Sequence, residues 1–75
     1  MADLRKEFGA RLRFVREMRE MSQAELAEKC GLEPSAVAHF EAGRRGPAID
    51  NLKALAKGAM VSADYLLGLS KRIEA

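Results

Sequence analysis

The 75-residue chain predicts an all-α, compact five-helix domain, and three observations carry that expectation. Apolar residues recur three and four positions apart, the period of a helix that buries one face. Glycine, proline and small polar residues stand where such helices would begin and end. No segment reads as a strand.

The first helix is expected from Asp3 to about Met18. Leu4, Phe8, Leu12 and Val15 follow one another at spacings of four, four and three and form its inward stripe. Gly9 interrupts this stretch and costs roughly 1 kcal/mol relative to alanine, so the first turns are expected to fray. Met18 and Met21, in the run that closes the helix, are read as flexible core filler.

Ser22 with Glu25 three positions later is a capping box that starts the second helix at Gln23. Leu26, Ala27 and Cys30 line its inner face, and Gly31 supplies the positive-φ stop. Pro34 suits the first position of a third helix, which presents Val37 and Phe40 inward. Arg44 to Pro47 reads as a loop. The fourth helix, about Ile49 to Gly58, turns Leu52, Leu55 and Ala56 to the core. Its N-cap position is Ala48, which has no capping side chain, at a cost of roughly 1 kcal/mol. The fifth helix follows Ser62, with Asp64 well placed for the dipole, and runs through Tyr65, Leu66 and Leu67 to a stop at Gly68. A charged tail, 69–75, contains Leu69 and Ile73. One domain is expected, with its core at about 4–68.

Composition narrows the function classes. A single cysteine, Cys30, forms no internal disulfide, and no His/Cys cluster offers a metal site. No apolar run is long enough to span a membrane, and the N-terminus lacks an apolar signal core, so a cytoplasmic protein is expected. The only histidine, His39, has no nucleophile and carboxylate at a spacing that would make a catalytic set, so no enzyme is expected. The run Gly43-Arg44-Arg45-Gly46 is too short for a phosphate loop. No cofactor or small-molecule ligand is suggested. Net charge is only +2, but basic residues crowd the first quarter, and Arg44 and Arg45 stand together.

Two short helices on a glycine turn suggest a helix-turn-helix. Gln23, Ala27, Gly31, Leu32, Val37 and Phe40, with the exit Glu41-Ala42-Gly43-Arg44, resemble the helix-turn-helix of the phage repressor and Cro (Xre) family. Arg11-Leu12-Arg13 and Arg16 before it, and Pro47, Leu52, Leu55-Ala56 and Val61 to Gly68 after it, extend the likeness. The resemblance implies a lambda-repressor-like fold whose third helix enters the major groove of double-stranded DNA. It places Pro34, Ser35, Ala36 and His39 against base edges, with Glu33 at the cap. Gln23, Arg44, Arg45 and Arg13 would meet phosphates, with Arg11 and Arg19 as further candidates. Gln23 can also serve as a plain helix cap. Arg16 would pair with Glu41 across the back of the motif. A homodimer is implied, with Met60, Tyr65, Leu69 and Ile73 as candidate contacts. Ala48 departs from the family, which has a serine or threonine there.

The reading set is thin. It has no Asn, Gln or Arg for the bidentate base contacts that discriminate by roughly 1–3 kcal/mol each. Specificity is therefore expected to lean on DNA shape and half-site spacing. The reading is a dimeric repressor of a palindromic operator. The alternative is an antitoxin or antirepressor of the same fold that binds a protein, with DNA secondary.

Overall fold

The structure, a computed structural model, describes residues 3–74; Met1, Ala2 and the tail's last residue, Ala75, lie outside the described residues. Five helices follow in order: α1 (Leu4–Met18), α2 (Gln23–Cys30), α3 (Pro34–Glu41), α4 (Ile49–Ala59) and α5 (Ala63–Leu67). No strand occurs among the described residues.

The helix-turn-helix forms by the predicted local chemistry. The Ser22 hydroxyl accepts from the Glu25 amide at 3.0 Å, and the Glu25 carboxylate accepts from the Ser22 amide at 2.8 Å. Gly31 ends α2 at φ +69°, and Pro34 opens α3. The motif packs on α1 through Leu12, Val15, Leu26, Val37 and Phe40, all buried. Phe8 meets Phe40 edge-on, ring centres 6.5 Å apart, and Leu55 and Leu66 close the core from α4 and α5.

Four expectations need correction. Gly9 does not fray the helix: Asp3 caps it by accepting from the Arg5 and Lys6 amides. Gly9 lies where α1 crosses the end of α3, and a Cβ there would strike the carbonyl oxygen of Phe40. Close backbone approach is therefore the reason for the glycine. Leu4 is 75% exposed, because the inward seam begins one turn later at Phe8. Met18 is also exposed rather than core filler. Its neighbour Arg19 instead ties α1 to the end of α4, donating to the carbonyls of Ala59 at 3.3 Å and Met60 at 2.8 Å. Finally, α4 ends one residue later than expected. Gly58 lies within it against the Cys30 sulfur, and Met60 takes the left-handed cap at φ +55°.

Ala48 makes no side-chain cap, as its methyl dictates. The tail folds back. Ser62 donates its amide to Ile73 O at 2.6 Å and its hydroxyl to Arg72 O at 3.0 Å, so Ile73 packs against the core.

Candidate nucleic-acid interface

The charged lock behind the motif sets the geometry of its front. Arg16 Nε donates to Glu41 Oε2 at 2.6 Å and Nη2 to Oε1 at 3.0 Å, the two-pronged pair only a guanidinium makes. Its third arm, Nη1, donates to Met21 O at 2.8 Å, where the chain turns from α1 to α2. The Glu41 side chain is 4% exposed, yet no buried polar side-chain atom among the described residues lacks a partner. Hydrogen bonding to Glu41 raises the Arg16 pKa, so the guanidinium stays charged.

Gln23 completes this lock. Its Nε2 donates to Glu41 Oε1 at 3.1 Å, so the side chain at the start of α2 is held by the end of α3. Glu41 thus fixes both helices of the motif to each other and to α1. The Glu41–Gln23 bond was hidden in the sequence, where the Ser22 capping box accounts for the helix start without Gln23. The Gln23 side chain has one acceptor and a second N–H left over, and sits partly exposed.

On the outer side of α3, Pro34 and Ser35 are exposed and His39 partly so, whereas Ala36, also partly exposed, packs against the core. Glu33 occupies the cap position without a side-chain cap bond. Beyond the helix, Gly43 turns the chain at φ +75° and returns Arg44 and Arg45 to α3. Arg44 Nη1 lies 3.3 Å from His39 Nδ1. The Arg45 guanidinium stacks over Phe40, 5.3 Å from the ring centre, and seals that buried side chain while staying exposed itself. The structure therefore brings Gln23, His39, Arg44 and Arg45 together around α3. Arg13 is apart, paired with Glu17 along α1 at 3.3 Å. Arg11 pairs with Glu7 in the same manner at 3.7 Å, and Arg19 is committed to the end of α4.

Elsewhere an open groove of about 1040 Å³ runs between α4 and the tail, floored by Leu52, Ala56 and Val61. Of the four candidate dimer contacts, Met60 and Leu69 are well exposed, whereas Tyr65 and Ile73 pack on their own core. Ile49, 88% exposed at the groove's rim, escaped the sequence reading because its spacing fits the inward stripe of α4.

Helix-turn-helix geometry of this kind, locked from behind and open along its second helix, defines the DNA-binding domains of phage repressors. A family model described as "Helix-turn-helix" matches residues 12–66, and the chain belongs to that family, in its phage repressor and Cro (Xre) branch. Over 60 residues it is 40% identical to an uncharacterized HTH-type transcriptional regulator, YobD, of Bacillus subtilis, covering 80% of this chain. The chain spans 54% of that relative's length. Among solved structures it is similar to the restriction-modification controller protein C.AhdI of Aeromonas hydrophila. That match has 34% identity and a TM-score of 0.80, over 83% of this chain and 94% of that one. It is also similar to the P22 c2 repressor in complex with a synthetic operator, at 33% identity and a TM-score of 0.79, over 84% and 96%. No helix among the described residues is long and apolar enough to cross a membrane.

Proposed function

We propose that the protein is a dimeric, sequence-specific DNA-binding transcriptional repressor that works in the cytoplasm, with α3 in the major groove of a palindromic operator. The observation that carries this reading is the open face of α3, with Gln23 held at the end of that helix and Arg44 and Arg45 turned back beside it. Pro34, Ser35, Ala36 and His39 meet base edges. Gln23 and the two arginines grip phosphates. The α2 terminus assists, since its capping box leaves amide groups of the first turn facing outward. Arg13 contributes least, because it is partly neutralised by Glu17. The repressor–operator complex among the similar structures supports this orientation.

Dimerisation follows from the site's size. One short helix meets too few base pairs to select an operator, and two copies must present theirs about 34 Å apart. Ile49, Met60 and Leu69 supply exposed apolar surface for this. The groove that Ile49 and Met60 border carries Lys53 and Lys57 along with Asp64 and Glu74, both signs of charge that a two-fold copy can pair.

The test is a gel-shift titration at several salt concentrations, using duplexes selected from a random pool. A steep fall of affinity with salt and selection of a palindrome are expected. Absence of binding to every selected duplex at low salt would reject the reading in favour of the protein-binding alternative.

A further inference from the structure

We propose that Arg44 is a positioning residue for His39, fixing the imidazole tautomer so that His39 reads its base as a hydrogen-bond donor only. The inference rests on the DNA-binding reading above and assigns the chemistry of one base position in each half-site.

The geometry is one-directional. Arg44 Nη1 lies 3.3 Å from His39 Nδ1. A guanidinium has five N–H donors and no acceptor, so the bond exists only if Nδ1 offers its lone pair. In the neutral ring the proton is then on Nε2. Nε2 has no hydrogen-bond partner among the described residues and is not buried, so its N–H is available to a ligand. Left alone, a neutral imidazole presents either nitrogen as donor, and could accept from a cytosine or adenine amine as readily as donate. Arg44 removes the ambiguity. In the major groove guanine shows two acceptors, N7 and O6, whereas cytosine shows only a donor. Guanine is therefore the favoured base and cytosine the excluded one.

Only one of the five Arg44 donors faces His39. The others stay free for a phosphate oxygen, since Arg44 is exposed and has no carboxylate partner among the described ion pairs. One side chain thus grips the backbone and sets the base readout. The pair also relieves the poverty of the reading set, because a fixed donor discriminates better than a freely switching one.

Two measurements decide this. The first needs no DNA. As His39 is the only histidine, its ring nitrogens are unambiguous in a long-range proton–nitrogen correlation spectrum of the intact chain at alkaline pH. Protonation at Nε2 is expected in the wild type, with the Nδ1 resonance shifting towards that of a free imidazole in Arg44→Ala. Protonation at Nδ1, or identical spectra for the two proteins, would overturn the lock. The second is selection from a random duplex pool with wild type, His39→Ala, Arg44→Ala and Arg45→Ala. One position per half-site should favour guanine by about fivefold, as one net hydrogen bond gives. His39→Ala and Arg44→Ala should both flatten it, while Arg45→Ala weakens binding with the preference intact. If Arg44→Ala weakens all duplexes alike and keeps the guanine, Arg44 is a phosphate contact only and the proposal fails. If the wild type selects no duplex, the DNA reading fails and takes the base readout with it, whereas the spectrum still decides the tautomer.

Discussion

One methyl group at position 9 would push α1 away from α3. Alanine there gains about 1 kcal/mol in helix propensity, but its Cβ meets backbone carbonyls that cannot rotate aside. Overpacking wins. Gly9→Ala should lower stability by about 2 kcal/mol or more, read as an earlier midpoint in urea with an unchanged slope. Glu41 shows the opposite logic, where shape is kept and charge removed. Glu41→Gln leaves Arg16 largely buried opposite a neutral amide, whose single oxygen replaces the two that accept from Arg16 and Gln23. Breaking such a pair from one side costs about 3 kcal/mol. The loss should appear in thermal unfolding without DNA, and any variant that still folds should hold DNA more weakly because the common anchor of α2 and α3 is weakened.

At the scale of the element, α2 depends on its capping box. The Ser22 amide, and then the Ser22 hydroxyl, hold the Glu25 carboxyl below the usual carboxylate range. A carboxyl whose pKa is lower in the folded state stabilises the fold above its unfolded pKa, and loses that contribution as pH falls through the folded value. Wild type should therefore exceed Glu25→Gln in urea stability at neutral pH, with the gap closing in acid. A constant gap would mean that the carboxylate acts by shape alone. These local devices were legible in the sequence because each depends on residues three or four apart: the Ser22–Glu25 box, the Gly31 stop, Pro34 at the start of α3. The Arg16–Glu41 pair came instead from family likeness, and its geometry now accounts for it. What stayed hidden joins distant segments by way of particular rotamers. Spacing could not show that Gly9 faces Phe40, that Arg19 closes α4, or that Gln23 bonds Glu41. Nor could it show His39 meeting Arg44, since a five-residue separation across a turn has no fixed geometry until Gly43 takes its positive φ.

The molecule as a whole measures 31 × 25 × 22 Å, and its two candidate faces are distinct. One is α3 with its flanking cations; the other is the apolar rim of Ile49, Met60 and the α4–tail groove. Ile49→Asp adds a charge at an almost fully exposed site, so the fold should be kept. If the rim is the dimer contact, sedimentation should show monomer where wild type shows dimer. Operator affinity should fall at least tenfold, while weak binding to unrelated duplexes remains. A dimeric Ile49→Asp protein would move the contact elsewhere on the surface.

The packing of Gly58 against Cys30 turns the protein into its own reporter. The thiol is half-buried at the crossing of α2 and α4, and burial raises its pKa, so it stays protonated at neutral pH. Alkylating reagents attack the thiolate, and α4 packed against the sulfur hinders their approach. The labelling rate of the native chain therefore rises as the helix that frames the groove loosens. Addition of a partner copy or of operator DNA should slow that labelling in proportion to how firmly each holds α4 down.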